Sequence, residues 1–166
     1  MRCVKKMIEQ NMKHLMITLL AAIATVAAMA QSSGRIFIED FSIAPDSTVT
    51  VPVMLTNAEP TQGIQFKMSL PQGLMLEEME LTKYSRRQKM DVAKSHKNGT
   101  WIVAVYSMSL NAYPPDTAAV LMLTLTAEPE FEGGEIAIWA SKGSSEEFTT
   151  INYDDSAATV TATRQQ

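Results

Sequence analysis

From Arg35 to Thr163 the chain repeats short runs in which apolar and polar side chains alternate, with turn residues between them. Nothing in it has the 3.6-residue period of a long amphipathic helix. Arg35 to Asp40 alternates with Ile36 and Ile38 on one side and Phe37 on the other. Thr48 to Asn57 sets Val49, Val51, Val53 and Leu55 on one face and threonines with Pro52 on the opposite one. Proline has no N–H to give to a ladder, so this strand is expected at a sheet edge or bulged at Pro52. Gly63 to Leu70 repeats the pattern with Ile64, Phe66, Met68 and Leu70, and Pro71-Gln72-Gly73 turns the chain into Leu74 to Leu81.

Asn98-Gly99 is a two-residue hairpin signal, since both residues tolerate the positive φ of a type I′ turn. It should join Met90 to Ser95 with Thr100 to Ser107, and the second of these is apolar on both faces, which predicts a central strand buried between layers. Tyr113-Pro114-Pro115-Asp116 interrupts the pattern. Ala118 to Ala127 restores it with Leu121, Leu123 and Leu125; Gly133-Gly134 precedes Glu135 to Ala140, and Ala157 to Thr163 closes the series. About nine strands at this spacing predict an all-β, two-sheet sandwich of Greek-key or jelly-roll type.

The first thirty residues break this pattern. A basic opening (Arg2, Lys5, Lys6, Lys13) leads into the apolar run Leu15 to Ala28, then Ala28-Met29-Ala30 and polar Gln31-Ser32-Ser33-Gly34. That order of parts is a secretory signal peptide, and the run is too short and alanine-rich for a membrane span of ~20 residues. The expected organisation is a signal-peptide helix over residues 1–30 and one domain over 31–166, periplasmic or extracellular, with Met12 an alternative start. Cleavage after Ala30 leaves 136 of the 166 residues, a size that supports one core. The single cysteine, Cys3, falls in the signal, so the exported part is expected to do without a disulfide, a thiolate nucleophile or a cysteine metal site.

Removing four basic and one acidic residue from the chain's 14 and 18 leaves ten against seventeen, formal net −7, which argues against nucleic acid as a partner. Six of those ten, Lys83, Arg86, Arg87, Lys89, Lys94 and Lys97, crowd into fifteen positions. Such a segment reads as a solvated connection or an edge strand guarded by charge, and alternatively as a patch that docks an acidic partner or anionic glycan.

Ser47-Thr48-Val49-Thr50-Val51-Pro52-Val53, followed by Leu55-Thr56-Asn57, Gly63-Ile64 and Phe66, resembles the opening of cohesin domains. The Ala118 to Thr126 strand, the Gly133-Gly134 turn and the closing Ala158 to Thr161 strand follow in that family's order, so the resemblance spans residues 35 to 163. Where cohesins carry a "YDP..L" signature, this chain has Leu70-Pro71-Gln72-Gly73-Leu74. The resemblance implies a nine-stranded jelly roll similar to cellulose-binding modules. It also implies a non-catalytic binding or adaptor module that recognises a protein partner, typically a calcium-dependent dockerin of an extracellular polysaccharide-degrading assembly.

Candidate chemistry is sparse. His96 is the sole histidine after the signal, and neighbouring Ser95 would point to the opposite face of a strand, so no serine triad and no multi-histidine zinc site is expected. Carboxylate pairs such as Glu77-Glu78 with Glu80, or Asp154-Asp155, fall at strand ends and turns where charge is ordinary solvation, and Asp154-Asp155 lacks the twelve-residue loop of a calcium site. No catalytic, cofactor or metal residue is therefore assigned. Direct polysaccharide binding is the alternative, and it demands two or three aromatic side chains exposed on one face. Of the mature chain's aromatic residues, Tyr106 among them, Trp101 and Trp139 lie in apolar strands and are expected to pack in the core, whereas Tyr84, Tyr113 and Tyr153 fall in connections free to be exposed. Asn98-Gly99-Thr100 fits an N-glycosylation pattern, and Asp116-Thr117-Ala118 and Asp155-Ser156-Ala157 resemble bacterial O-glycosylation sites.

Overall fold

Alternation over Thr48–Asn57 produces strand β3, whose Val51, Val53 and Leu55 are buried while its threonines stay at the surface. In this computed structural model residues 34–163 are described, and the expected signal segment, with Cys3 and Met12, lies outside them. Before β3 come β1 (Gly34–Phe37) and β2 (Phe41–Ile43); after it come β4 (Thr61–Ser69), β5 (Leu74–Leu81) and a single-turn helix α1 (Lys83–Arg87). The remainder is β6 (Asp91–Lys97), β7 (Thr100–Tyr106), β8 (Asp116–Ala127), β9 (Gly134–Ser145), β10 (Thr150–Asn152) and β11 (Ser156–Ala162). Eleven strands are thus formed among the described residues, against about nine expected. None of the described helices is long and apolar enough to cross a membrane.

The strands make two sheets. One is ordered β1-β3-β8-β5; the other is ordered β2-β11-β9-β4-β7-β6, with β10 added on β9. Inward-facing Ile36, Val53, Leu55, Leu121, Leu123 and Leu125 of the first sheet meet Ile64, Phe66, Met68, Val103, Val105, Ile136 and Val160 of the second in one buried cluster. This is a β-sandwich with its core between two facing sheets. The predicted strand Arg35 to Asp40 is in fact split: Gly34–Phe37 pairs with β3, and after Ile38 the chain crosses to the other sheet, where Phe41–Ile43 runs parallel to β11. Asp40 holds that crossing, its Oδ1 accepting a 2.7 Å hydrogen bond from the Thr159 N–H.

Pro52 sits opposite Met122 of β8, in the half of β3 that runs past the end of β1 and so has one neighbour only. A bulge follows directly: Val53 pairs with Leu121 but Met54 with Ala119, so Val120 is the extra residue of β8. Both features expected of a proline in this strand are present. The bulge turns the Val120 carbonyl toward α1, where it accepts hydrogen bonds from the Thr82 N–H (3.3 Å) and the Ser85 hydroxyl (2.7 Å). Thr82 also caps α1 by accepting from the Ser85 N–H at 3.1 Å.

Asn98 (φ 51°) and Gly99 (φ 75°) form the anticipated turn between β6 and β7, in register from Lys97 opposite Thr100. β7 departs from expectation. Val103 and Val105 are buried, but Ile102 and Tyr106 on its other face are exposed, so a core covers one face of the strand and not both.

At Gly143 the ring of Tyr153 lies against the backbone, and a Cβ there would stand 2.8 Å from Tyr153 Cε2. Gly143→Ala must displace that ring and with it the 2.9 Å hydrogen bond between the Tyr153 and Thr61 hydroxyls. The expected cost is roughly 1–3 kcal/mol, seen as a lower urea midpoint at an unchanged slope.

Candidate binding face

The outward residues of β9, β4, β7 and β6 form three rows across the sheet: β6, β7 and β4 pair in unbroken register, and β4 pairs with β9 through two bulges. One row reads Ser95, Ile102, Lys67, Trp139; the next Ala93, Ala104, Gln65, Lys142; the third Asp91, Tyr106, Gly63, Ser144. Ile102 and Tyr106 are 37% and 39% exposed, which is unusual for large apolar side chains in the middle of a strand. Gly63 leaves a shallow depression of about 310 Å³ between Tyr106 and Ser144, floored by Ile64 and Val105 and bordered by Lys142. The face thus has an apolar centre, one hollow and lysines around them.

Two turns extend this apolar surface at the end where β4 begins. After β7, the Ser107 hydroxyl accepts hydrogen bonds from the Ser109 and Asn111 N–H groups, and Gln62 Nε2 donates to the Leu110 carbonyl at 3.1 Å. Between β9 and β10, the Ser145 hydroxyl likewise accepts from the Glu147 and Thr149 N–H groups. Leu110 (φ 56°) and Phe148 (φ 59°) are each held left-handed, a conformation costly for bulky residues, with their side chains 58% and 71% exposed beside Met108 at 79%. Thr61, next to Gln62, pairs with Ser145, so both turns flank the same end of β4.

The other outer face is different in kind. Across β3 and β8 the hydroxyls pair Thr48 with Thr126 (2.9 Å), Thr50 with Thr124 (3.3 Å) and Thr56 with Thr117 (2.9 Å), so that surface is polar and its groups satisfy each other.

The residues singled out from sequence are dispersed. Trp101 packs partly against the core, with the His96 ring stacked on it at 4.5 Å. Trp139, expected in the core, instead lies half-buried on the outer face, since Ile136 and Ile138 take the inward positions of β9. Tyr113 and Tyr153, expected in connections free to be exposed, are buried; Tyr84 stacks on Tyr113 at 5.6 Å. Burial pushes the Tyr113 hydroxyl up to about 12 and raises Tyr84 and Tyr153 in the same direction. Glu77 and Glu78 are exposed beside a bulge in β5, and Glu80 pairs with Arg86 at 3.4 Å. Asp155 Oδ1 accepts from the Ala140 N–H at 3.1 Å, across from its neighbour Asp154, whose own N–H donates to the Gly34 carbonyl. Among the described residues, no three of His, Cys, Asp and Glu converge on a point where a metal would sit. Of the modification patterns, Asn98 stands exposed at its turn, whereas the Ser156 hydroxyl is already engaged with the Ile36 carbonyl at 2.7 Å.

The basic segment divides into two parts. Lys83, Arg86 and Arg87 lie on α1, while Lys94 and Lys97 lie on β6, the outermost strand of its sheet. Both the connection and the charged edge read from sequence are present. What sequence reading missed is Ile102 with Tyr106; the signal was an apolar run on both faces of β7, taken as two layers of cover rather than one layer and a surface.

No family model and no curated protein matches the sequence. Solved structures do match. The cohesin module of a family 33 glycoside hydrolase from Clostridium perfringens is 11% identical, with a TM-score of 0.67 over 80% of this chain and 100% of that one. The sixth cohesin of Acetivibrio cellulolyticus scaffoldin B, solved in complex with a dockerin, is 12% identical, with a TM-score of 0.64 over 79% and 99%. A non-cellulosomal cohesin from the archaeon Archaeoglobus fulgidus is 12% identical, with a TM-score of 0.62 over 78% and 92%. Sheet order, strand alternation and these likenesses agree, and the sandwich of residues 34–163 has the cohesin fold.

Proposed function

We propose that this protein is a non-catalytic, exported binding module that recognises a protein partner of dockerin type through the outer face of β9, β4, β7 and β6. The observation that supports it is the apolar centre formed by exposed Ile102 and Tyr106 with Ala104 between them, flanked by Lys67 and Lys142, with exposed Met108, Leu110 and Phe148 on the turns at one end. Buried apolar anchors inside a polar rim are what a specific protein interface uses. Cohesins of the same fold have been solved with dockerins bound, which supports a partner of that class. Export, and service in a polysaccharide-processing assembly, belong to the same proposal and rest on the signal-like first thirty residues and on that resemblance.

Direct sugar binding gains little support from the aromatic positions. Tyr113 and Tyr153 are buried, and on the outer face Tyr106 and Trp139 stand two rows and two strands apart.

The test is capture from the source organism's envelope and secreted fractions in calcium, followed by elution with chelator and identification of the eluate. A partner with duplicated calcium-loop repeats, bound by the native protein and weakened at least about hundredfold by Ile102→Asp, is expected. Because Ile102 is already partly solvated, the substitution should lower the unfolding free energy by only about 1 kcal/mol and leave the fold intact. Retention of polysaccharide alone would replace the proposal with sugar binding.

A further inference from the structure

Sheet edges invite added strands, and among the described residues all but one of them are blunted. β1, β2 and β10 are three or four residues long. The open half of β3 carries Pro52, and β5 is broken by a bulge between Leu76 and Glu78 and lined with Glu77, Glu78 and Glu80. β6 is the exception: seven residues pair with β7 in unbroken register, and six of the seven are exposed. Its side chains are mostly basic, with Lys94, His96 and Lys97 against the single acid Asp91, and Lys94 and Lys97 fall on opposite faces of the strand. The one ion pair among the described residues joins Arg86 to Glu80, so neither lysine is neutralised by a salt bridge.

Beneath this edge the sandwich gapes. Between β5 and the β6–β7 hairpin is a cleft of about 320 Å³ lined by Leu70, Leu74, Met75, Leu76, His96 and Trp101. Met75 is 45% exposed in it, and the Trp101 ring is covered on one side only by exposed His96. A strand laid along β6 would direct alternate side chains to this side, over the cleft.

We propose that the free edge of β6 accepts an extended acidic segment of a partner protein as an additional strand, with one apolar side chain of that segment seated in the cleft between β5 and the β6–β7 hairpin. Main-chain hydrogen bonds would supply affinity, the cleft one specificity pocket, and Lys94 and Lys97 the preference for acidic residues on both faces of the added strand. A second copy of this chain suits the edge less well, because full antiparallel overlap of two β6 strands sets Lys94 against Lys94. This site is the backbone edge of β6 with the cleft behind it, adjoining the outer face at Ser95, Ala93 and Asp91, and it does not depend on the dockerin reading.

The experiment uses the purified protein and a fluorescent ten-residue peptide of alternating glutamate and threonine with one central leucine, followed by anisotropy at low and moderate salt. Binding is expected, and it should weaken at least about tenfold in a Lys94→Glu, Lys97→Glu double variant and also when the leucine becomes serine. Two further peptides, N-methylated on alternate residues in the two possible frames, separate strand addition from charge attraction. One frame blocks the amides that pair with β6 and should abolish binding; the other should leave it. Ile102→Ala, which adds no charge opposite Ser95 of β6, should leave peptide binding unchanged while weakening capture of the outer-face partner, which keeps the two results separable. Equal binding by both methylated peptides, or no binding by any, overturns the proposal. A dimer in sedimentation velocity that the double variant abolishes overturns it in favour of a second copy.

Discussion

Phe66→Ala is expected to remove roughly 3–5 kcal/mol of stability, the largest loss of any single substitution considered. Phe66 is fully buried on β4, which lies between β9 and β7 in the interior of the larger sheet. Its ring fills the space between the sheets together with Ile64, Met68, Val103 and Val105 from its own sheet and with Val53, Leu121 and Leu123 from the other. Strands hydrogen-bonded on both sides cannot close over the gap, so the cost combines lost transfer energy with the cavity left behind. Against a typical domain stability of about 5–15 kcal/mol, this is a large fraction, and the melting temperature should fall by roughly 10–20 °C. Phe66→Leu keeps most of the volume and should cost well under half as much. A loss below 1 kcal/mol for the alanine variant would mean that the ring is not packed as described. The effect reaches the binding face too, since Gln65 and Lys67, the neighbours of Phe66, stand in its middle rows.

The same strand shows how far sequence reading could go. Period-two alternation placed Ile64, Phe66 and Met68 inward, and it gave β3 its bounds from Thr48 to Asn57, because in a two-layer sandwich the inward set must be apolar whatever the partners are. Asn98-Gly99 was equally legible, being a backbone requirement satisfied locally. Misreadings began where burial depends on distant chain. Tyr113 lies in an irregular connection, yet its hydroxyl donates to Ser85 at 2.7 Å and its backbone pairs with Thr61, so partners 28 and 52 residues away bury it. Tyr153 is buried in the same way by Thr61 and Gly143. The change of sheet after Ile38 is likewise set by β11, more than a hundred residues later, through Asp40 and Thr159. β7 posed a different problem. An apolar run on both faces fits a strand covered on two sides or one whose second face is itself a binding surface, and only the number of layers distinguishes them. Trp139 shows the same ambiguity in one residue: its parity points outward, while its size suggested the core.

Buried tyrosines carry a second large effect, on pH dependence. Burial pushes the Tyr113 hydroxyl from 10.0 up to about 12; the Ser85 hydroxyl beside it opposes that rise and the neighbouring Tyr84 adds to it. In the unfolded chain this phenol ionises near its ordinary value, so between pH 10 and about 12 the native state retains a proton that the unfolded state has lost. The unfolded state then binds fewer protons, and stability falls as pH rises. The contribution is fully present below pH 10 and is lost through that window; two pH units at 1.36 kcal/mol each make the loss about 3 kcal/mol. Tyr153, raised by burial first, with Glu59 adding and the Thr61 hydrogen bond opposing, acts in the same direction. Urea midpoints should therefore be flat from pH 7 to 9 and drop steeply above pH 10. Tyr113→Phe identifies the group responsible. Ser85 still donates to the Val120 carbonyl in that variant, so no hydroxyl proton is stranded and the neutral-pH cost should be only about 1 kcal/mol. Its curve should start about 1 kcal/mol lower, cross the native one at about pH 11, and lie above it as pH approaches 12, because the native protein loses about 3 kcal/mol that the phenylalanine variant never had. Parallel curves across the whole range would show that lysine deprotonation or the other tyrosines govern alkaline unfolding. A crossing would show that the Tyr113 hydroxyl, stacked under Tyr84 and bonded to Ser85, stays buried in the folded state, and so that the connection between β7 and β8 is anchored at the root of the exposed Met108 and Leu110 turn.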